Sequence, residues 1–245
     1  MQSAQYLRSA VEWLAASVGL CAFTYVCYVV TAWCRYGYAK QPAGNDETDP
    51  LLDQFMPKYD VVERHHIRVS APAETAFSAA TDLHLSESAV IQAIFKSREL
   101  VLRARPNTLA RPRTLLAQMK ALGWGVLSEI PDYEIVMGAA TQPWIANVVM
   151  RALPPDRFAA FCEPGYAKIA WTLRADPIGA EESVARTETR VVTTDPAARA
   201  KFRRYWSFFS PGILLIRHIS LSLVKKEAER RARTSGNSHP STPRA

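Results

Sequence analysis

The stretch Asp195 to Arg233 constrains the fold more than any other part of the chain. Within it Phe202, Tyr205, Trp206, Phe209, Ile213, Ile216, Ser220 and Leu223 recur at steps of three and four, the spacing that gathers side chains on one face of an α-helix. Asp195 supplies an N-cap acceptor and Pro196 takes the first helical position, where a missing N–H is harmless. Pro211, inside Ser210-Pro211-Gly212, predicts a kink or a restart with Ser210 as a second cap. A long helix with so broad an aromatic face needs a wide apolar partner. If bent, it suits a curved sheet with a space left between the two.

The middle of the chain supplies that sheet. From Val61 to Val69 the residues alternate, with Val61, His65, Ile67 and Val69 on one face and Arg64, His66 and Arg68 on the other. Ser70-Ala71-Pro72-Ala73-Glu74 then predicts a capped helix over 75–80, a second helix starts at Ser86, and Leu115 to Leu122 forms a last short one ended by Gly123. The basic stretch Arg98 to Arg113, with two prolines, reads as irregular. Strands 124–130 and 133–139 flank a turn at Pro131-Asp132, and strands 158–161 and 166–174 flank Glu163-Pro164-Gly165. In 166–174, Ala167, Ile169, Trp171 and Leu173 oppose Lys168, Thr172 and Arg174, while in 185–194 Thr187, Thr189 and Val191 oppose Glu188 and Arg190. Such alternation predicts an antiparallel sheet with one wet, charged side.

From Trp13 to Cys34 there are 22 uncharged residues, a helix of about 33 Å against a bilayer core of about 30 Å. Trp13 at one end and Trp33, Tyr36 and Tyr38 at the other fit interfacial belts, and the run is too long for the apolar region of a cleaved signal. Arg8 before the span against Arg35 and Lys40 after it places the remaining chain on the cytoplasmic side. The expected division is therefore a transmembrane anchor over 1–40, a Pro/Gly/Asp-rich linker over 41–58, an α+β domain over 59–233 and a disordered Ser/Pro/Thr tail over 234–245.

The segments HHIRVSAPAETAFSAATD, EPGYAKIAWTLRAD and TETRVVTTDPAARAKFRRYWSFFSPGILLIRH cover much of 61–231 in the order strand, short helices, meandering strands, long helix. That order resembles the helix-grip fold of the START-related SRPBCC superfamily, in particular its polyketide cyclase/dehydrase and lipid-transport group. The resemblance implies an antiparallel sheet wrapped on the C-terminal helix, with a hydrophobic cavity between them. It supplies no shared catalytic residues.

Candidate cavity residues are Trp144, Phe158, Ile169, Trp171, Tyr205, Trp206 and Phe209, with His65 pointing to the same face by strand parity. His65 and Tyr205 are the only polar groups there able to act in acid–base chemistry. His65 and His66 point to opposite faces and cannot chelate together, no His, Cys or carboxylate set has metal-ligand spacing, and there is no Gly-rich phosphate loop or nucleophile elbow. No cofactor or metal is expected. A net charge of +7 favours anionic partners, but the basic residues form no nucleic-acid recognition motif. The leading expectation is a membrane-anchored protein that binds or transfers a lipid or other apolar small molecule without catalysis. The alternative is a cyclase- or aromatase-like enzyme using the same cavity.

Overall fold

The alternating segments pair as the period-2 pattern requires. In the computed structural model, which describes residues 2–44, 47–84, 88–104 and 114–236, β1 (Val61–Val69), β2 (Gly125–Ile130), β3 (Glu134–Thr141), β4 (Met150–Arg151), β5 (Ala167–Gly179) and β6 (Glu182–Thr193) form one antiparallel sheet. Its strand order is β1-β6-β5-β3-β2, with β4 on β3. Register sets Val61, Glu63, His65 and Ile67 opposite Val191, Thr189, Thr187 and Ala185, and sets Met137, Trp171 and Thr189 in one row across three strands. These side chains share the inner face.

Helix α7 (Pro196–Gly236) lies across that face, packing on β1, β6 and β5 and on α3 (Ala73–Thr81). Its start is well fixed: Asp195 accepts from the N–H groups of Ala197 at 2.8 Å and Ala198 at 2.9 Å, and also from Gly165. The helix runs unbroken through Pro211. Ser210 does not recap it. Its hydroxyl meets the Tyr28 hydroxyl at 3.0 Å. Ala76, Ala79 and Ala80 of α3 are buried and small, so that helix approaches closely and closes one end of the core with Leu221, Val224 and Ala228 of α7. The architecture is the helix-grip arrangement.

Several local expectations change. Helix α3 starts after Pro72 with no side-chain cap; Ser88 caps α4 (Ala89–Leu102), which absorbs the first part of the basic stretch, while the expected start at Ser86 lies outside the described residues. Helix α5 (Leu115–Ala121) agrees with the spacing, and Gly123 follows it at φ 96°, where a non-glycine residue would be strained. Residues 158–161 are not a strand; Pro154 and Pro155 start the short helix α6 (Pro155–Phe158) instead. The rest of the basic stretch, 105–113, and residues 237–245 of the expected tail lie outside the described residues, while 234–236 continue α7.

The stretch 41–58 is not free chain throughout. Asp49 accepts from Leu52 N–H at 2.8 Å and starts α2 (Pro50–Asp53), which buries Leu52 and Met56 on the outer face of the sheet with Val136, Ala140, Phe158 and Ala170. Composition alone reads this stretch as linker, but two Leu and a Met at helical spacing have an apolar strip of the outer face to cover. That face is therefore not wet where the segment lies. Helix α1 (Gln2–Arg35) stands apart: it touches α7 near its C-terminal end, and every side chain from Val11 to Cys27 is exposed. By length and composition two helices could cross a membrane, Val11–Arg35 and Pro196–Ser235.

Candidate functional site

The inner face is apolar at both ends and polar in the middle. At one end Tyr36, Val61, Ala167, Val191, Phe202 and Trp206 form a packed cluster, with Trp144, Ile169, Tyr205 and Ile213 against it. Trp206 stacks on Phe202 at 6.0 Å between ring centroids, and Tyr205 stacks on Phe209 at 5.0 Å. At the other end Trp171, Ile135, Met137, Leu173 and the alanines of α3 close the core. Between them stand Glu63 and His65 of β1, Thr187 and Thr189 of β6, and Arg217 and His218 of α7.

Arg217 is the centre of this group. Its Nη1 donates to Thr187 Oγ1 at 3.2 Å and its Nη2 to Thr189 Oγ1 at 2.5 Å, and its guanidinium lies 5.9 Å from the centroid of the Trp171 ring. No ion pair joins it to a carboxylate among the described residues. A guanidinium carries five N–H donors, so these two contacts do not use them all. Burial disfavours the cation and draws the Arg217 pKa down to about 10, with Glu63 acting in the opposite sense.

His65 lies edge-on to His218, ring centroids 5.0 Å apart. Its Nε2 is buried without a hydrogen-bond partner and stands 3.7 Å from the Glu63 carboxylate, beyond hydrogen-bond range. Desolvation, then the neighbouring His218, Arg217 and His66, lowers the His65 pKa to about 4, so the ring is neutral at pH 7. Burial raises the Glu63 pKa, partly offset by Arg217 and Arg35. A cleft of about 260 Å³ opens along the β1 edge beside this pair, lined by His65, Ile67, His218, Leu221 and Ser222 and, at its rim, Arg64 and His66.

The eight residues singled out from the sequence do not form one wall. Trp144, Ile169, Tyr205, Trp206 and Phe209 gather at the start of α7. Trp171 lies one level further along and meets Trp124 edge-on at 6.1 Å and Arg217, not the 205–209 aromatics. His65 borders the cleft. Phe158 is on the opposite side of the sheet, packed over Gly138, where an added Cβ would stand 2.7 Å from its ring. Its short helix follows Pro154, so strand parity never applied to it. Arg217, Glu63 and the two threonines are not among those eight. Their signal was present: Ser210, Ile213, Arg217, Leu221, Val224 and Ala228 continue one helix face, which makes Arg217 a cation in a core phase.

No protein-family model matches the sequence, and no curated protein matches it. Among solved structures it is similar to a norcoclaurine synthase point mutant from Thalictrum flavum in complex with a transition-state analogue, at 10% identity over 69% of this chain and 94% of that one, TM-score 0.33. It is also similar to a START superfamily protein from Mycobacterium smegmatis, at 14% identity over 71% and 98%, TM-score 0.29. A third is the Zhui aromatase/cyclase from Streptomyces sp. R1128, at 15% identity over 71% and 97%, TM-score 0.26. The helix-grip assignment rests on the strand order and the packing of α7, and these likenesses, all below a TM-score of 0.5, add neither ligand nor reaction to it.

Proposed function

We propose that this protein binds, and hands on, a lipid or other apolar small molecule held between α7 and the inner face of the sheet, and that α1 keeps it at a membrane. The observation that supports this reading is the order of surfaces under α7: apolar clusters at the two ends of the inner face, the polar group of Glu63, His65, Thr187, Thr189 and Arg217 between them, and a cleft of about 260 Å³ at the β1 edge that His65 and His218 line. A ligand with an apolar body and a polar atom matches that sequence of surfaces. Tethering would hold the domain where a poorly soluble ligand is concentrated, so that transfer is short-range. In this reading residues 1–40 are anchor and the domain is cytoplasmic. Part of the 41–58 stretch is then a strap on the outer face and not a passive linker.

One observation favours a cyclase-like second reading, the Glu63–His65 pair at the cleft. It is the weaker of the two. A general base works best with a pKa near the operating pH, and His65 lies near 4. The full chain, released from detergent micelles in native mass spectrometry and then extracted with organic solvent, is expected to carry one apolar molecule per chain. A bare chain mass together with no saturable uptake of a fluorescent fatty-acyl or sterol probe overturns the reading.

A further inference from the structure

Helix α1 does not leave the domain directly. Its last three turns lie antiparallel on the first half of α7. Arg203 donates from Nε at 3.0 Å and from Nη2 at 2.8 Å to Trp33 O, one of the carbonyls an α-helix leaves unsatisfied at its C-terminal end, and stacks 4.2 Å over the Trp33 ring. Tyr25 donates to Phe208 O at 2.7 Å, Tyr28 meets Ser210, and Arg199 lies over Tyr36. These contacts fix the level of α7 relative to α1. Arg199 to Arg204 stand beside the end of the span, and Phe208 to Ser210 stand two to three turns further in, beside Tyr25 and Tyr28.

The face of α7 turned away from the sheet changes character at that level. Lys201, Arg204, Phe208, Pro211 and Leu215 follow each other at steps of three and four, so they share one face, opposite the buried Phe202 and Trp206. Lys201 and Arg204 are exposed, and so are Phe208 at 48% and Leu215 at 47%. From Tyr205 to Ile216 there is no charge, and α7 carries no acidic residue before Glu227. The outer face is therefore cationic at the level of Arg35 and apolar at the level of the α1 aromatics.

We propose that this outer face of α7 is a membrane-seating surface: a bilayer with anionic headgroups takes Lys201 and Arg204 at its headgroup level and Phe208, Pro211 and Leu215 in its acyl boundary, beside α1. The inference rests on the reading of α1 as an anchor and deepens it. The partner follows from continuity, because a helix pair held by Arg203, Tyr25 and Tyr28 must present both members to whatever surrounds α1, and from the order of charge, which matches headgroup followed by hydrocarbon. Association with the bilayer would then hold α7, one wall of the ligand space, in contact with lipid.

The test uses the full chain, its four exposed cysteines replaced by Ser, in nanodiscs of phosphatidylcholine and phosphatidylserine. A bimane label is placed by Phe208→Cys, Leu215→Cys, Val18→Cys on α1, or Ile178→Cys on the exposed end of β5. Quenching by doxyl-labelled lipid is expected at positions 18, 208 and 215 and not at 178. Charge reversal by Lys201→Glu with Arg204→Glu is expected to lower quenching at 208 severalfold and leave 18 unchanged. Quenching at 18 with 208 and 215 as dark to lipid as 178 overturns the seating surface and leaves the anchor standing. No quenching at 18, 208 or 215 overturns both. Equal quenching at all four sites, or none lost on charge reversal, also overturns the surface as stated.

Discussion

The two faces of one sheet handle charge in opposite ways. On the outer face the charges around Glu188 and Asp176 are joined in ion pairs, while buried Lys168 there meets only the carbonyls of Phe158 and Ala159. Glu188 accepts from Arg64 at 3.0 Å and from Arg190 at 2.6 Å; Arg190 also reaches Asp53 at 2.5 Å and Met56 O at 2.8 Å; Asp176 takes Arg186 at 2.5 Å. On the inner face Arg217 has two threonine hydroxyls and an aromatic ring but, among the described residues, no ion pair, and His65 Nε2 has no hydrogen-bond partner there. Burying a charge without a counter-charge is unfavourable unless something else uses it. The matched network closes the strap formed by α2 onto the sheet. The unmatched Arg217 lies on the inner face under α7, where the proposed ligand would sit.

The largest expected effect tests the scaffold side. Arg190 is buried, and its removal would leave Glu188 with Arg64 alone, one carboxylate oxygen unpaired, and loosen the carbonyl of Met56. Arg190→Met is expected to destabilise the protein by about 3 kcal/mol, the low end for a broken buried pair because Asp53 is half exposed. Urea unfolding of the full chain in detergent measures it, and release of the strap should appear as new protease cleavage within 49–56. A loss below about 1 kcal/mol would show that the outer network is ornamental and would remove the contrast between the faces.

The reason the strap was hard to read in the sequence is instructive. Asp49-Pro50 is a helix start of the same kind as Asp195-Pro196, which was legible. The second was convincing because a long periodic stripe follows it; the first is followed by one turn, too short for a period to show. Phe158 failed for a related reason: its face is set by a one-turn helix over Gly138, a contact between segments 20 residues apart in register and absent from any local pattern. The strands and α7 were legible because alternation and three-four spacing are local. Arg217 was legible too, as a charge in the apolar phase, but only after the stripe is extended past Ile216. Which sheet position it would meet, Thr187 and Thr189 rather than a carboxylate, depends on how far α7 slides along β6, and local sequence does not fix that.

Titration should separate one buried group on each face by the sign of its effect. Glu134, on the outer face toward Asp49, Arg174 and Asp176, has its pKa raised to about 8, first by burial and then by Asp49. Its proton is held in the folded state and lost from the unfolded chain above about 4.5, so its contribution is complete below that pH and falls away as pH rises toward 8. His65, on the inner face toward His218, Arg217 and Glu63, has its pKa lowered to about 4 from 6.5. Its contribution is complete above 6.5 and is lost as pH falls toward 4. Each slope is at most about 1.4 kcal/mol per pH unit for one proton. Stability measured from pH 4 to 8 should decline less at alkaline pH in Glu134→Gln and less at acid pH in His65→Gln, the alkaline share due to Glu63 remaining in both. Identical profiles for the two variants would mean that neither group is perturbed by the face it occupies.

The smallest expected change in stability carries the most information about the site. In Arg217→Met the replacement keeps an unbranched side chain over Trp171 and removes a desolvated cation that makes no ion-pair contact, although Glu63 loses a nearby favourable charge and its pKa should rise further. Thr187 and Thr189 each lose one donor but are hydroxyls that can turn to other acceptors. The opposing terms are the lost hydrogen bonds, about 1 kcal/mol each, and the relieved burial of charge, of similar size. Stability is expected to stay within about 1 kcal/mol of the parent, in contrast to Arg190→Met on the other face. Retention of a fluorescent fatty-acyl probe should fall at the same time, because the polar atom of such a ligand would lose its donor. If Arg217→Met instead unfolds the protein as readily as Arg190→Met, Arg217 belongs to the scaffold, and the polar middle of the inner face is a structural feature of the helix–sheet contact.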